Sequence, residues 1–201
     1  MPNVFNDKAT ARSRFVNDRS TMGNRVLLRA SSAAVRRLLG TAELTGARRV
    51  CAYKSFAGEV DTAELVAALS ARGVQVLLPV LLPDGDLDWS PFDGRFVSGR
   101  LGLREPAGAR LGTAAITTAD VVVVPALAVS PTGQRLGRGG GSYDRALARI
   151  AGPWPGAPGR ARPWTCALVL DHELDALFPV EPHDQPVAAA CTPGALVRYP
   201  R

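Results

Sequence analysis

The stretch Arg135 to Arg145, RLGRGGGSYDR, limits the fold of this chain more than any other. An apolar run, Val121 to Val124, comes before it and a helical pattern, Asp144 to Ile150, comes after it. Four glycines (Gly137, Gly139, Gly140, Gly141) let backbone N–H groups turn toward a bound anion, and the following helix adds its positive end. One anion at such an end gains about 0.3–1 kcal/mol. Arg135, Arg138 and Arg145 supply charge-assisted, often bidentate bonds to phosphate oxygens. Asp144 is a carboxylate among these positive groups, and a magnesium ion bridging it to a polyphosphate would account for it. A plain glycine-rich turn with solvated arginines has the same composition. No lysine follows the second glycine as GxxxxGK[ST] requires, and Ser142 breaks the third glycine of GxGxxG. The residues alone therefore specify a phosphate cradle with a metal carboxylate.

The rest of the chain supplies the frame for that loop. Residues 7–20 and 24–39 have helical patterns, the second with Val26, Leu27, Ala30, Ala34 and Leu38 on its apolar face and Gly40 at its end. Lys8 and Arg12, four apart, project from one face of the first. They suit either a phosphate clamp or a solvated surface. Arg49 to Tyr53 reads as a strand, Asp61 and Glu64 as the capping box of a helix that stops at Gly73, and Val74 to Leu78 as a buried strand. Strand, helix, strand at that spacing is a βαβ unit and implies a parallel sheet with helices on its faces. Ligands of such sheets gather beyond the carboxyl ends of the strands. Lys54 and Glu59 follow one strand end and the glycine loop another, so the two are expected to face one cleft.

Residues 80–120 read as hairpin or loop, with Trp89 and Phe92 in core packing or against a ring-shaped ligand, and GLREP at 102–106 as a turn whose Glu105 forms a surface salt bridge. PWPGAPGRARP at 153–163 reads as a surface loop, Trp164 to Leu170 as a strand, and FPVEPHD at 178–184 as non-helical because of Pro179 and Pro182. Val187 to Cys191 and Leu196 to Tyr199 are expected final strands. The expectation is one α/β domain over residues 1–201.

Charge and cysteine usage narrow the function. The net charge of +6 permits nucleic-acid binding, but the arginines are scattered and the aromatics, 6% of residues, do not interleave with them. A small polyanionic substrate accounts for the charge equally well. Cys51, Cys166 and Cys191 lie far apart in apolar segments, which suits buried free thiols in a reducing cytoplasm and neither zinc nor disulfides. No run approaches the ~20 apolar residues of a membrane span, and MPNVFNDKATAR has no secretory apolar region.

VVVVPALAVSPTGQRLGRGGGSYDRAL followed by FPVEPHD closely resembles the 5-formyltetrahydrofolate cyclo-ligase (methenyltetrahydrofolate synthetase) family. Tyr53 to Thr62, with its EVDT, LLPV at 77–80 and REP at 104–106 fit the same pattern, so the likeness runs from about residue 49 to 193. The resemblance implies a three-layer α/β/α fold with a mostly parallel sheet. It implies ATP and magnesium as cofactors, with 5-formyltetrahydrofolate, with or without a polyglutamate tail, converted to 5,10-methenyltetrahydrofolate; the protein is separately expected to be a monomer. It assigns Arg135, Leu136, Gly137, Arg138, Gly139, Gly140, Gly141, Ser142 and Tyr143 to ATP, with Arg138 to Ser142 also near the folate. Asp144 and Asp184 match the magnesium carboxylates, Glu59 and Lys54 the substrate positions, and Lys8 and Arg12 an N-terminal ATP motif. The chain carries Ser142 where the family usually has an aromatic, and Ala11 where leucine precedes the motif's arginine. An amide-like formyl oxygen needs phosphorylation before ring closure, which is a task of alignment and charge stabilisation. Arg138 and Arg145 are the candidate catalytic arginines. His183 is either a proton shuttle or a loop residue orienting Asp184. Three other readings compete: an isomerase or CoA transferase with similar layers, a catalytically impaired folate- or nucleotide-binding paralogue, and a nucleic-acid binder.

Overall fold

A computed structural model describes residues 3–99, 102, 104–151 and 161–200. Helices α1 (Lys8–Thr21), α2 (Asn24–Leu39) and α3 (Ala42–Thr45) precede β1 (Arg49–Cys51) and α4 (Ala63–Ala71). Next come β2 (Gln75–Leu81), β3 (Leu87–Pro91), β4 (Phe96–Ser98), β5 (Arg104–Pro106) and β6 (Val121–Pro125). A short ribbon, β7 (Ala128–Val129) and β8 (Arg135–Leu136), leads into α5 (Ser142–Ala151), and β9 (Trp164–Leu168), β10 (Ala189–Cys191) and β11 (Leu196–Arg198) end the fold.

Seven strands form one sheet in the order β11-β10-β9-β6-β1-β2-β3, parallel except at its edges, where β11 and β3 run antiparallel. Side chains of β6 alternate between the two faces. Val121 and Val123 pack with Val35, Leu38 and Leu65 from α2 and α4, while Val122 and Val124 pack with Ile116, Leu147 and Ile150 on the opposite face. This is the three-layer α/β/α arrangement. Across the carboxyl end, Ala11 and Phe15 of α1 pack with Leu127, Leu136 and Phe178 in a separate cluster. That cluster seats α1 beside the glycine loop.

Several expectations need correction. Asp61 and Glu64 form no capping box: Asp61 Oδ1 accepts from Ala63 N at 2.8 Å, and Glu64 Oε2 instead accepts from Ser32 of α2. Val26 is 54% exposed, because the inward face of α2 carries Leu27, Ser31, Ala34, Val35 and Leu38. The segment 104–106 is strand, paired with β4, and Glu105 is buried, accepting from Leu81 N and from Arg110. Of the two readings for Trp89, core packing holds: it is fully buried. Strands β1, β9 and β10 are each shorter than their apolar runs. The end residues Tyr53, Val169 and Val187 stay buried beyond the regular ladder, with Val169 N still donating to Cys191 O at 3.1 Å and Val187 N to Gly133 O at 2.9 Å. The helix after the glycine loop starts at Ser142 rather than Asp144, so Ser142 and Tyr143 belong to its first turn. Much of the expected 153–163 loop lies outside the described residues. All three cysteines are free and buried.

Candidate active site

Beyond the carboxyl ends of β1 and β6 lies a cavity of about 640 Å³, within the usual range for small-molecule sites. Lys8, Arg12, Lys54, Glu59, every residue from Arg135 to Asp144, and Asp184 all line it. Arg145 does not. Its Nη2 donates to Gly85 O at 2.7 Å and Gly140 O at 3.0 Å, bracing the glycine loop from outside the cavity, contrary to the reacting position expected for it.

The glycine loop bends as only glycines permit at two points, Gly139 (φ +102°) and Gly141 (φ +69°). At Gly137 a Cβ would lie 2.6 Å from the Arg135 guanidinium. That guanidinium is buried and donates to Asp144 Oδ1 at 2.8 Å, so Arg135 holds the aspartate of α5 rather than standing free in solvent. The Asp144 Oδ1 also accepts from Gln185 N at 3.3 Å. The two aspartates singled out by sequence are therefore joined through the residue after Asp184.

Asp184 and Glu181 share one cation. Lys8 Nζ lies 2.6 Å from Asp184 Oδ2 and 2.8 Å from Glu181 Oε2. Burial works against ionisation of Asp184, but the Glu181 amide and the Lys8 ammonium outweigh it and hold its carboxyl below the ordinary range. Glu181, His183 and Asp184 bring three ligand-capable atoms within 4.8 Å of one another. Glu181 is a site residue that the EPHD motif displays but that its sequence context does not single out. His183 is mostly exposed, its Nε2 3.4 Å from Glu181, as a loop residue beside the acids. Arg12 Nε donates to Gly137 O at 2.9 Å and so fastens α1 to the glycine loop.

Glu59 lines the same cavity. Burial pushes its carboxyl up to about 7, against the Phe56 amide and the charges of Arg138 and Arg19. Arg138 Nε is 3.7 Å from Glu59 Oε1, and its guanidinium lies 4.7 Å over the Phe56 ring, so Arg138 spans from the glycine loop to the Glu59 turn. The Tyr143 hydroxyl is buried without a hydrogen-bond partner among the described residues, and burial keeps it neutral. Lys54 and Arg104 are exposed and also line the cavity, with Lys54 Nζ and the Arg104 guanidinium 5.3 and 5.7 Å from the Phe96 ring centre.

Arg19 is a further site-building residue that sequence reasoning overlooked. It lies on the same face of α1 as Lys8, Arg12 and Phe15, at spacings of four, three and four, which the sequence alone displays. No helix among the described residues is long and apolar enough to cross a membrane.

Comparison with known proteins agrees with this geometry. The model of the 5-formyltetrahydrofolate cyclo-ligase family matches residues 4–193. A 5-formyltetrahydrofolate cyclo-ligase of Mycolicibacterium smegmatis is 39% identical over 166 residues, covering 80% of each chain. Its counterpart in Escherichia coli is 33% identical over 165 residues, covering 80% of this chain and 86% of that one. The solution structure of Aquifex aeolicus 5,10-methenyltetrahydrofolate synthetase superposes with a TM-score of 0.78 at 22% identity, over 95% of this chain and 92% of that one. The likeness to that structure concerns the fold, whereas the family match and the sequence relatives carry the assignment: the chain belongs to the 5-formyltetrahydrofolate cyclo-ligase family.

Proposed function

We propose that this family member converts 5-formyltetrahydrofolate to 5,10-methenyltetrahydrofolate with consumption of ATP and a requirement for magnesium. The observation that carries the reading is the convergence, on one cavity, of the glycine loop, the Asp144–Asp184 pair and the buried Glu59. The donor set suits magnesium, because carboxylate oxygens are its preferred protein ligands and Asp184 with Glu181 already grips one cation, the Lys8 ammonium. Asp144 and Asp184 would hold the ion, which would neutralise charge on the ATP phosphates.

The chain itself binds and aligns. Amides of Gly137 to Gly141 and the first turn of α5 face phosphate oxygens, and Lys8 and Arg12 add positive charge from α1. Arg138 reaches between the loop and Glu59, where the γ-phosphoryl group passes to the formyl oxygen. The second folate nitrogen then attacks the activated carbon, its proton passes to solvent or to the departing phosphate, and the C–O bond breaks to release phosphate as the ring closes. Glu59, titrating near neutrality, offers the pterin an acceptor or a donor. Lys54 and Arg104 have no acidic partner among the described residues and are exposed on the cavity lining, suited to the carboxylates of a glutamate tail.

A mixture of protein, 5-formyltetrahydrofolate, ATP and magnesium tests the reading through the near-ultraviolet band of the methenyl product. The band should grow only when ATP and magnesium are both present. Binding of both substrates without turnover would favour the second reading, an impaired paralogue, which the small Ser142 side chain on the cavity wall recommends.

A further inference from the structure

Arg19 and Glu173 form a fully buried ion pair, with side chains 1% and 0% exposed. It is bidentate: Arg19 Nε and Nη2 each lie 2.7 Å from a Glu173 oxygen. The remaining donors leave the pair. Nη2 also donates to Ala126 O at 2.7 Å, and Nη1 donates to Gly58 O at 3.1 Å. Glu173 is fixed in turn by Leu170 N at 2.7 Å. One guanidinium thus joins four separate segments: α1, the turn before Glu59, the chain leaving β6, and the 3-10 helix Asp171–Glu173 that follows β9.

Two of these segments carry residues that line the cavity. Lys8 and Arg12 lie on α1, about 16 Å and 10 Å along the helix from Arg19. Glu59 closes a tight turn in which its own N–H bonds Phe56 O at 3.0 Å, and Gly58, at φ +80°, immediately precedes it. Within residues 54–59 the other side-chain bonds to backbone are local, between Ser55 and Thr62 and between Phe56 and Glu59. From outside the segment only Arg19, at Gly58, and Arg138, at 3.5 Å from Ala57 O, reach its carbonyls among the described residues. Helix α1, by contrast, is held independently by Ala11 and Phe15 in the core, by Lys8 on Asp184 and by Arg12 on Gly137 O.

We propose that Arg19, neutralised by Glu173, is a positioning residue that sets the Glu59 turn in register with the N-terminal helix and so governs folate recognition, while nucleotide binding stands on other contacts. The inference rests on the functional reading above. A planar guanidinium suits the task because its fork can satisfy a carboxylate and two carbonyls at once, whereas a lysine ammonium cannot reach all of them.

The test is a double substitution, Arg19→Met with Glu173→Leu, alongside Arg19→Lys. A buried ion pair exchanged for apolar side chains of similar volume commonly leaves folding intact, whereas removal of one partner strands a charge. Calorimetric titration with 5-formyltetrahydrofolate and, separately, with ADP plus magnesium needs no turnover. The double variant should melt within a few degrees of the parent. It should bind folate at least tenfold more weakly and MgADP within threefold of the parent. Arg19→Lys should show the same split. Equal folate affinity in parent and a folded variant, or parallel loss of both ligands, overturns the proposal. Should the double variant not fold, the same split decides the matter in Arg19→Lys. A parent that binds neither ligand overturns the functional reading itself, and this proposal with it.

Discussion

Replacing Glu59 by glutamine should make the ligand-free protein more stable and less active, with a gain in stability that depends on pH. The residue is 7% exposed and burial, the largest influence on its carboxyl, raises it from an ordinary 4.5 to about 7. Between those values the folded chain keeps the proton and the unfolded chain has lost it, so the unfolded state binds fewer protons and stability falls as pH rises. The stabilising contribution is full below pH 4.5 and is lost as pH climbs through about 7. The cost of ionising Glu59 in place, relative to the unfolded chain, is about 3 kcal/mol by pH 8. Glutamine stays neutral throughout and keeps an oxygen for the Phe56 amide. The variant should match the parent near pH 4.5 and exceed it by about 3 kcal/mol at pH 8, a melting shift of roughly 6–12 °C for a chain of this size. Urea titrations of both proteins at several values between pH 4.5 and 8 measure this directly. A stability difference that stays constant across that range would refute the argument that burial governs Glu59.

Other substitutions probe separate parts of the account. Arg138→Ala should reduce turnover on the order of 10³-fold while changing stability by no more than about 1 kcal/mol, because its side chain is 37% exposed and its contacts are long; equal losses in kinetic and melting assays would argue against a reacting role. Asp144→Asn should raise the magnesium concentration for half-maximal rate about tenfold, and an unchanged requirement would exclude metal ligation. Phe15→Ala removes a fully buried ring from the cluster under α1 and should cost about 3–5 kcal/mol in urea titration, whereas a loss below 1 kcal/mol would mean that α1 is seated by its polar contacts. Lys54→Met combined with Arg104→Met should abolish any advantage of a triglutamate over a monoglutamate substrate while leaving the ATP KM unchanged; a retained advantage would move the tail elsewhere.

Sequence carried the frame and the glycine loop because their signals are local. The alternation of Val121 to Val124 between two apolar faces, the βαβ spacing and the glycine run all lie within short windows. EPHD was legible as a motif, but Glu181 became a partner for Lys8 only across the fold, over 173 residues. Glu105 illustrates the opposite failure. A charged residue in a short, turn-like segment reads as surface, yet β4–β5 pairing turns it inward onto Leu81 N. Composition groups Arg145 with the other loop arginines, but its position in α5 aims it at Gly85 O, outside the cavity. Arg19 had a usable signal in its spacing from Lys8, Arg12 and Phe15. An arginine in a helix is ordinarily exposed, and only the distant Glu173 makes its burial tenable.

The central claim is that a phosphoryl group passes to the formyl oxygen in the cavity between the glycine loop and Glu59. Its most direct test uses 5-formyltetrahydrofolate labelled with 18O in the formyl group, with unlabelled ATP, magnesium and water. The account predicts that each methenyl product formed is matched by one ADP and one inorganic phosphate carrying the label. Unlabelled phosphate alongside the methenyl product, or methenyl product without ADP, would contradict it.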